Sequence, residues 1–168
     1  MKKLVLALLV IAIFGCTKEK KIVYVDSQEL LMGYDGMSEA SKALEEKSVL
    51  WQFELDSLKK EYESVKSSFL GETSEEDKLA LSQQGQYLES LLAQKKKEYG
   101  ELYQLEDEKL SKGVLNQVNS FVADYAKENG ISMVLGSNGM GTIIYGDETM
   151  DITQDVLQSL NAYYNNEK

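Results

Sequence analysis

Between residues 37 and 129 the chain contains no proline, and its apolar residues recur at coiled-coil spacing. In the first half they fall at Leu44, Trp51, Leu55, Leu58, Tyr62, Val65 and Phe69, and in the second at Leu81, Leu88, Leu92, Tyr99 and Leu102. Steps of seven, four and three place them on one seam, the a and d positions of a heptad. The stretch "LGETSEED" (70–77) interrupts the seam. Gly71 suits the residue just past a helix end, and Thr73 with Glu76 has capping-box spacing for a new start. The pattern predicts two helices joined by a tight turn and folded back as an antiparallel coiled coil. Pairing residues whose numbers sum to about 143 joins a to d positions throughout. It sets Leu55 against Leu88, Trp51 against Leu92, Tyr62 against Leu81, Leu44 against Tyr99, Ser48 against Lys95 and Leu58 against Gly85. An arm of about 33 residues per helix would reach roughly 50 Å.

The flanking segments read differently. "KIVYVDS" (21–27) predicts a strand over 22–26, and "QELLMGYDG" (28–36) a transition with Gly33 and Gly36 as breakers. Gly85, Gly100 and Gly113 fall inside the second helix, each costing about 1 kcal/mol relative to alanine. They fit either close packing or an arm that bends. From Val114 the stripe broadens through Leu115, Val118, Phe121, Val122 and Tyr125, which predicts that the helix leaves the arm and enters a core. Gly130 is its cap. "ISMVLG" (131–136) and "TIIYG" (142–146) flank "SNGMG" and predict a β-hairpin. Gly136, Gly139 and Gly141 lie between two strands with no helix after them, so they read as turn chemistry and not as a phosphate loop. "MDITQDVLQSLNAYY" (150–164) predicts a helix with Asp151 as N-cap, Gln154 three residues on, and Ile152, Val156, Leu157 and Leu160 buried. The fold class is α+β, with an arm over 37–113 and a small β-rich body from 22–36 and 114–168.

The N-terminus carries a third pattern. Lys2 and Lys3 precede a uniformly apolar stretch over 4–14, followed by Gly15 and Cys16, the only cysteine. Eleven apolar residues are too few to span hydrocarbon, which takes roughly 20, but they suit a signal peptide. "IFGC" resembles the bacterial lipoprotein box, whose cysteine receives a diacylglycerol and becomes the new N-terminus. Residues 1–15 are then a lipoprotein signal peptide, Cys16 the lipidation site and 16–21 a tether. An ordinary secretory signal with an incidental cysteine is the alternative.

Composition narrows the chemistry. There are 18 lysines and 28 acids, a net charge of −10, and no proline, histidine or arginine. Without histidine there is no Ser-His-Asp triad, no usual zinc cluster and no imidazole base. Without arginine there is no bidentate phosphate fork, and the acidic balance argues against nucleic acid. Acidic pairs at i,i+4 arise by chance in any charged helix, so no carboxylate pair is nominated. No catalytic or metal-ligating residue is assigned.

Taken together, "IVYVDSQELL", the long hairpin, "VADYAKENGISMVL" and "IIYGDETMDITQDVLQSLN" resemble the Skp/OmpH family of periplasmic chaperones over nearly all of the mature chain. The resemblance implies a homotrimer held by its bodies, with three arms enclosing a cavity. It implies a holdase that binds unfolded outer-membrane β-barrel proteins and prevents their aggregation, with no enzymatic step and no cofactor, nucleotide or metal. Two departures stand out. Better-known members are soluble and basic, whereas residues 37–113 here carry 11 lysines against 17 acids, and the lipobox implies a protein anchored to a membrane in the bacterial periplasm, the outer membrane in preference. Lys95, Lys96 and Lys97 are the one basic cluster on the arm, and a solvated face accounts for them. Phe53, Tyr87 and Tyr103 fall at f, c and e, off the seam, where packing does not explain an aromatic; with Tyr34 they are the candidate client contacts. The competing function is a passive envelope lipoprotein whose coiled coil serves as scaffold or spacer. It would need neither a compact body nor exposed aromatics on the arm.

Overall fold

The computed structural model describes residues 20–138 and 143–167. In chain order these form β1 (Lys21–Asp26), α1 (Ser27–Gly33), α2 (Asp35–Gly71), α3 (Glu75–Glu128), β2 (Ile131–Ser137), a 3₁₀ turn (Glu148–Met150) and α4 (Thr153–Asn166). The hairpin is present. α2 has 37 residues and α3 has 54, and α3 runs unbroken through Gly85, Gly100 and Gly113.

The turn between them differs in detail from the expected one. Gly71 is the last residue of α2, and Glu72 follows it at φ −80°, so no left-handed cap forms. The Glu72 carboxylate instead accepts from the N–H groups of Thr73 and Ser74 at 2.7 and 2.8 Å. Ser74, one residue later than Thr73, is the N-cap of α3 and accepts from the N–H of Asp77. The side chain of Glu72 supplies the acceptor that a glycine cap would have made unnecessary.

Along the seam Leu44, Val65, Leu88 and Tyr99 are buried. Trp51, Leu55, Leu58, Tyr62, Leu81, Leu92 and Leu102 are half-buried, because a two-helix arm has no third side. Phe69, near the turn, is 38% exposed.

The register is one heptad away from the expected one. Trp51 stacks on Tyr99, Glu54 meets Lys95 at 3.7 Å, Lys47 meets Glu106 at 3.0 Å, and a Cβ on Gly85 would come within 3.9 Å of Val65. Facing residues therefore have numbers that sum to about 150 and not to about 143. A slip of seven returns each seam residue to an equivalent position, so apolar matching cannot distinguish the two registers. The turn at 72–74 also moves the fold-back point beyond the junction of residues 71 and 72 that a sum of 143 requires.

The body contains a two-stranded parallel sheet, with Lys21 paired to Ile131 and Asp26 to Ser137. The expected β-hairpin does not form. Residues 143–146 carry no strand, Gly139 and Gly141 lie outside the described residues, and β2 pairs with β1 instead. Parallel strands need a long crossover, and here the whole helical hairpin is that crossover. The chain then returns beside β1, where the N–H of Ile152 donates to the carbonyl of Tyr24 at 3.0 Å.

The core joins both ends of the chain. Val23, Val25, Leu30, Tyr34, Val114, Val118, Ile131, Ile152, Val156 and Leu160 are its buried residues, with Phe121, Val122, Tyr125 and Leu157 packed against them. The core reaches farther along the hairpin than the pattern indicates: Leu110 of α3 and Met37 and Ala40 of α2 also pack against it, inside the segment 37–113 expected to be arm, and Leu115 faces solvent. Gly33 ends α1, but Gly36 is no breaker. It sits buried in the first turn of α2, where a Cβ would collide with the Tyr34 ring. Gly130 adopts φ 63° and turns the chain from α3 into β2, the left-handed conformation that glycine takes without strain. Asp151 lies one residue outside the α4 cap and accepts from the N–H of Thr153 at 2.9 Å, while Gln154 reaches Glu29 at 2.6 Å. Thr153 Oγ1 in turn accepts from the N–H of Asp26 at 2.8 Å, tying α4 to the end of β1.

Candidate functional site

With the seam turned inward, the off-seam side chains of the arm are its chemistry. Phe53, Tyr87 and Tyr103 stand 75%, 64% and 46% exposed. The structure brings out two residues that a search for aromatics overlooks. Val49 and Leu50 are also exposed, and with Phe53 they occupy one face of α2. Their b and c heptad positions were the available signal. The Lys47–Glu106 bridge sets Tyr103 at the same level of the arm as Val49 and Leu50. Near the turn, Leu70 and Leu79 add a second exposed apolar pair beside Phe69.

Tyr34 does not belong to this set. It is 3% exposed and its ring meets Tyr164 edge-on, centroids 5.3 Å apart at 71°. The residue just before α2 is drawn into the core because α4 crosses over it.

Two of the three lysines of the basic cluster have acidic neighbours. Lys95 meets Glu54 and Glu98 at 3.7 and 3.6 Å and lies 5.2 Å from the centroid of the Tyr99 ring, while Lys97 pairs with Glu101 at 3.8 Å. The Tyr99 hydroxyl donates to Glu54, and that bond together with burial raises its pKa; the contact with Tyr99, helped by Glu98 and Glu54, raises that of Lys95. Both groups are held in their protonated forms by arm packing, a structural use of charge.

A groove of about 850 Å³ lies between α3 and α4, bordered by Phe121, Tyr125, Tyr163, Asp124 and Glu128. It brings aromatic rings and carboxylates together, with the hydroxyls of Ser120 and Ser159 also on its wall. Among the described residues no group of three or more His, Cys, Asp or Glu side chains is placed to hold a metal, and no helix is long and apolar enough to cross a membrane. Elsewhere on the body, the outward side chains Ile22, Met133 and Leu135 of the sheet are exposed, as are Ile144 and Tyr145. Among the described residues of the body, Met32, Leu115 and Tyr163 are exposed as well.

A small body with a two-stranded parallel sheet carrying a long antiparallel helical hairpin defines the class, an α+β protein. The model of the outer membrane protein (OmpH-like) family matches residues 21–160, and the chain belongs to that family. A crystal structure from Caulobacter crescentus, titled as an OmpH-like outer membrane chaperone, has the same fold, with a TM-score of 0.75 at 12% identity over 88% of each chain. No curated protein matches the chain.

Proposed function

We propose that this protein is a periplasmic holdase chaperone that keeps unfolded outer-membrane β-barrel proteins from aggregating, and that it acts as a lipid-anchored homotrimer. The observation that carries the reading is the row of off-seam apolar side chains, Val49, Leu50, Phe53, Tyr87 and Tyr103, exposed on an arm whose own packing does not use them. A passive spacer gains nothing from them, whereas a holdase needs apolar contacts spread thinly enough to stay soluble. Membership of the OmpH-like family supports the same function. The exposed apolar side chains Ile22, Met133 and Leu135 on one face of the sheet support assembly through the bodies. The lipobox at Cys16 supports a periplasmic protein anchored to the outer membrane. Holding a client requires no bond to be made or broken, so no catalytic residue is assigned.

The test is dilution of a urea-unfolded β-barrel protein into buffer containing the protein without residues 1–16, followed by light scattering. Suppression of scattering near one trimer per client is expected. Scattering unchanged from that of the client alone would overturn the reading.

A further inference from the structure

The topology fixes where the N-terminus leaves the body. Lys21, the first residue of β1, pairs with Ile131, the first residue of β2, and Ile131 follows the end of α3 through Gly130. The start of β1 therefore lies at the C-terminal end of α3, while the other end of α3, Glu75, lies at the arm turn. At about 1.5 Å per residue, the 54 residues of α3 set these two ends roughly 80 Å apart. Both strands then run from this pole toward the arm. Six residues of β1 climb about 20 Å, and Tyr34, just beyond α1, lies beside Gln117 with its hydroxyl 3.3 Å from the amide oxygen. α2 begins there, and Met37 and Ala40 in its first turns still pack against the core before the arm leaves it.

We infer that the body pole at Lys21 is a membrane-facing surface and that the arms project away from the bilayer that anchors them. This rests on lipidation of Cys16 as proposed above. Four residues, 17–20, separate Cys16 from Lys21, a reach of at most roughly 17 Å when fully extended. The pole is thus held next to the headgroups, and the arm turn stands several times farther from the anchor than the tether can span. Charge opposes the remaining possibility, an arm lying flat on the surface. Residues 37–113 carry 17 acids against 11 lysines, and the turn itself holds Glu72, Glu75, Glu76 and Asp77. Against anionic lipid such an arm is repelled, while the pole carries the exposed Lys20 and Lys21 against Glu128, with Lys127 and Asp124 there paired to each other, and is the less acidic end. The client-holding face then opens toward the aqueous space and receives chains arriving through it, not chains emerging from the anchoring bilayer.

The full-length chain, expressed so that Cys16 is acylated, has no other thiol. One introduced cysteine is then the only free one. Glu128→Cys marks the pole and Thr73→Cys marks the turn; both positions are exposed. Each variant is labelled with a donor dye and reconstituted in vesicles of zwitterionic and anionic phospholipid carrying a headgroup-attached acceptor. The Glu128 label is expected to lose most of its emission and the Thr73 label to keep it. Equal loss at both positions, or greater loss at Thr73, overturns the orientation while leaving the anchor intact. Protein that does not float with the vesicles overturns the anchor, and the orientation with it. Circular dichroism matching the parent shows that both variants are folded, and Lys127→Cys replaces Glu128→Cys if that variant is not.

Discussion

The Trp51 ring lies flat on the ring of Tyr99, centroids 5.5 Å apart with 9° between their planes. Tyr99 also donates to Glu54, which meets Lys95 across the helix pair. These contacts explain why one register is chosen when heptad periodicity permits two. In the register slipped by seven, Trp51 would face Leu92, the seam would still be apolar, and the Tyr99–Glu54–Lys95 set would come apart. An aromatic pair contributes about 0.5–1.5 kcal/mol beyond its buried area, enough to favour one register severalfold. Polar contacts that fix register at some cost in stability are a recognised device in coiled coils.

Tyr99→Ala should therefore loosen the middle of the arm, and Tyr99→Phe should not. The alanine variant loses the stack, the hydrogen bond and a buried ring, a change that typically costs 3–5 kcal/mol in a full core and ~2 kcal/mol in an arm this thin. The phenylalanine variant keeps the stack and leaves Glu54 near Lys95 and water, so a loss below ~1 kcal/mol is expected. Trp51 is the only tryptophan, and its emission reads the site directly. A red shift in Tyr99→Ala and none in Tyr99→Phe is the expected pair of results. An unshifted alanine variant would mean that the stack does not form.

The glycines separate into two groups that can be told apart by melting. A Cβ at Gly100 or Gly113 meets nothing within 4 Å, so close packing does not account for either. Alanine at each should add about 1 kcal/mol to helix stability. At Gly36 the added Cβ would strike the Tyr34 ring, and at Gly33 it would come within 2.5 Å of Leu157. Gly36→Ala should lower the melting temperature of the body. If the glycines of α3 serve a bending arm, Gly100→Ala with Gly113→Ala should also narrow the size range of clients held.

The existence of the hairpin, the seam, the broadened apolar stripe of α3 through Val114 and Val118 and the Gly130 cap are all legible in sequence, because each depends on residues within one or two helical turns. What escapes is long-range. The heptad repeat hides a slip of seven, which only cross-helix partners such as Trp51 and Tyr99 resolve. The run from 131 to 146 has the composition of a hairpin, yet β2 finds its partner more than a hundred residues upstream in β1. Tyr34 reads as a free aromatic beside two glycines. Its burial comes from α4, whose approach no local pattern encodes. Exposure on the arm follows from off-seam position, and attention to aromatics alone passes over Val49 and Leu50, which are exposed beside Phe53.

The pH dependence of stability has two edges with different owners. Glu106 is held below its ordinary value by the hydrogen bond and charge of Lys47, and Glu72 by the backbone N–H groups of Ser74 and Thr73. Depressed carboxyl groups stabilise the fold above their unfolded value near 4.5, and that stabilisation fades as pH falls through the folded value. Tyr99 and Lys95 are shifted the other way. Their stabilisation is complete below about pH 10 and is lost as pH rises through their raised values. Melting temperatures should plateau between these limits. Tyr99→Phe should soften the alkaline edge and Lys47→Met the acid edge, each leaving the other unchanged.

If the bodies assemble through the outward sheet face, Met133→Lys with Leu135→Glu should yield monomers by multi-angle light scattering with helix content retained. Shortening the arm should not have this effect. The observed register dictates how to shorten it: excising 48–102 removes residues that face each other and leaves a matched stump. A monomeric product of that excision would place the contacts between subunits in the arms.

Clients should be gripped through apolar contacts and not through charge. The arm is acidic, Lys95 and Lys97 of its one lysine cluster are paired with Glu54, Glu98 and Glu101, and ion pairs at a wet surface contribute only ~0–1 kcal/mol each. Burying one large apolar side chain contributes ~1.5–3 kcal/mol, so a few partial contacts outweigh mild repulsion. Replacing Phe53, Tyr87 and Tyr103 together by serine should weaken holding of an unfolded β-barrel protein about tenfold, or ~1.4 kcal/mol. Adding Val49→Ser and Leu50→Ser should weaken it further. None of the five lies in the seam, so helix content and oligomeric mass should stay at parental values. Salt screens charges over about 10 Å at 0.1 M, and raising it should leave parental binding equal or slightly tighter, the sign expected when like charges are screened. Binding that salt abolishes and the serine substitutions leave untouched would transfer the grip to charge, with Lys96 the first residue to replace.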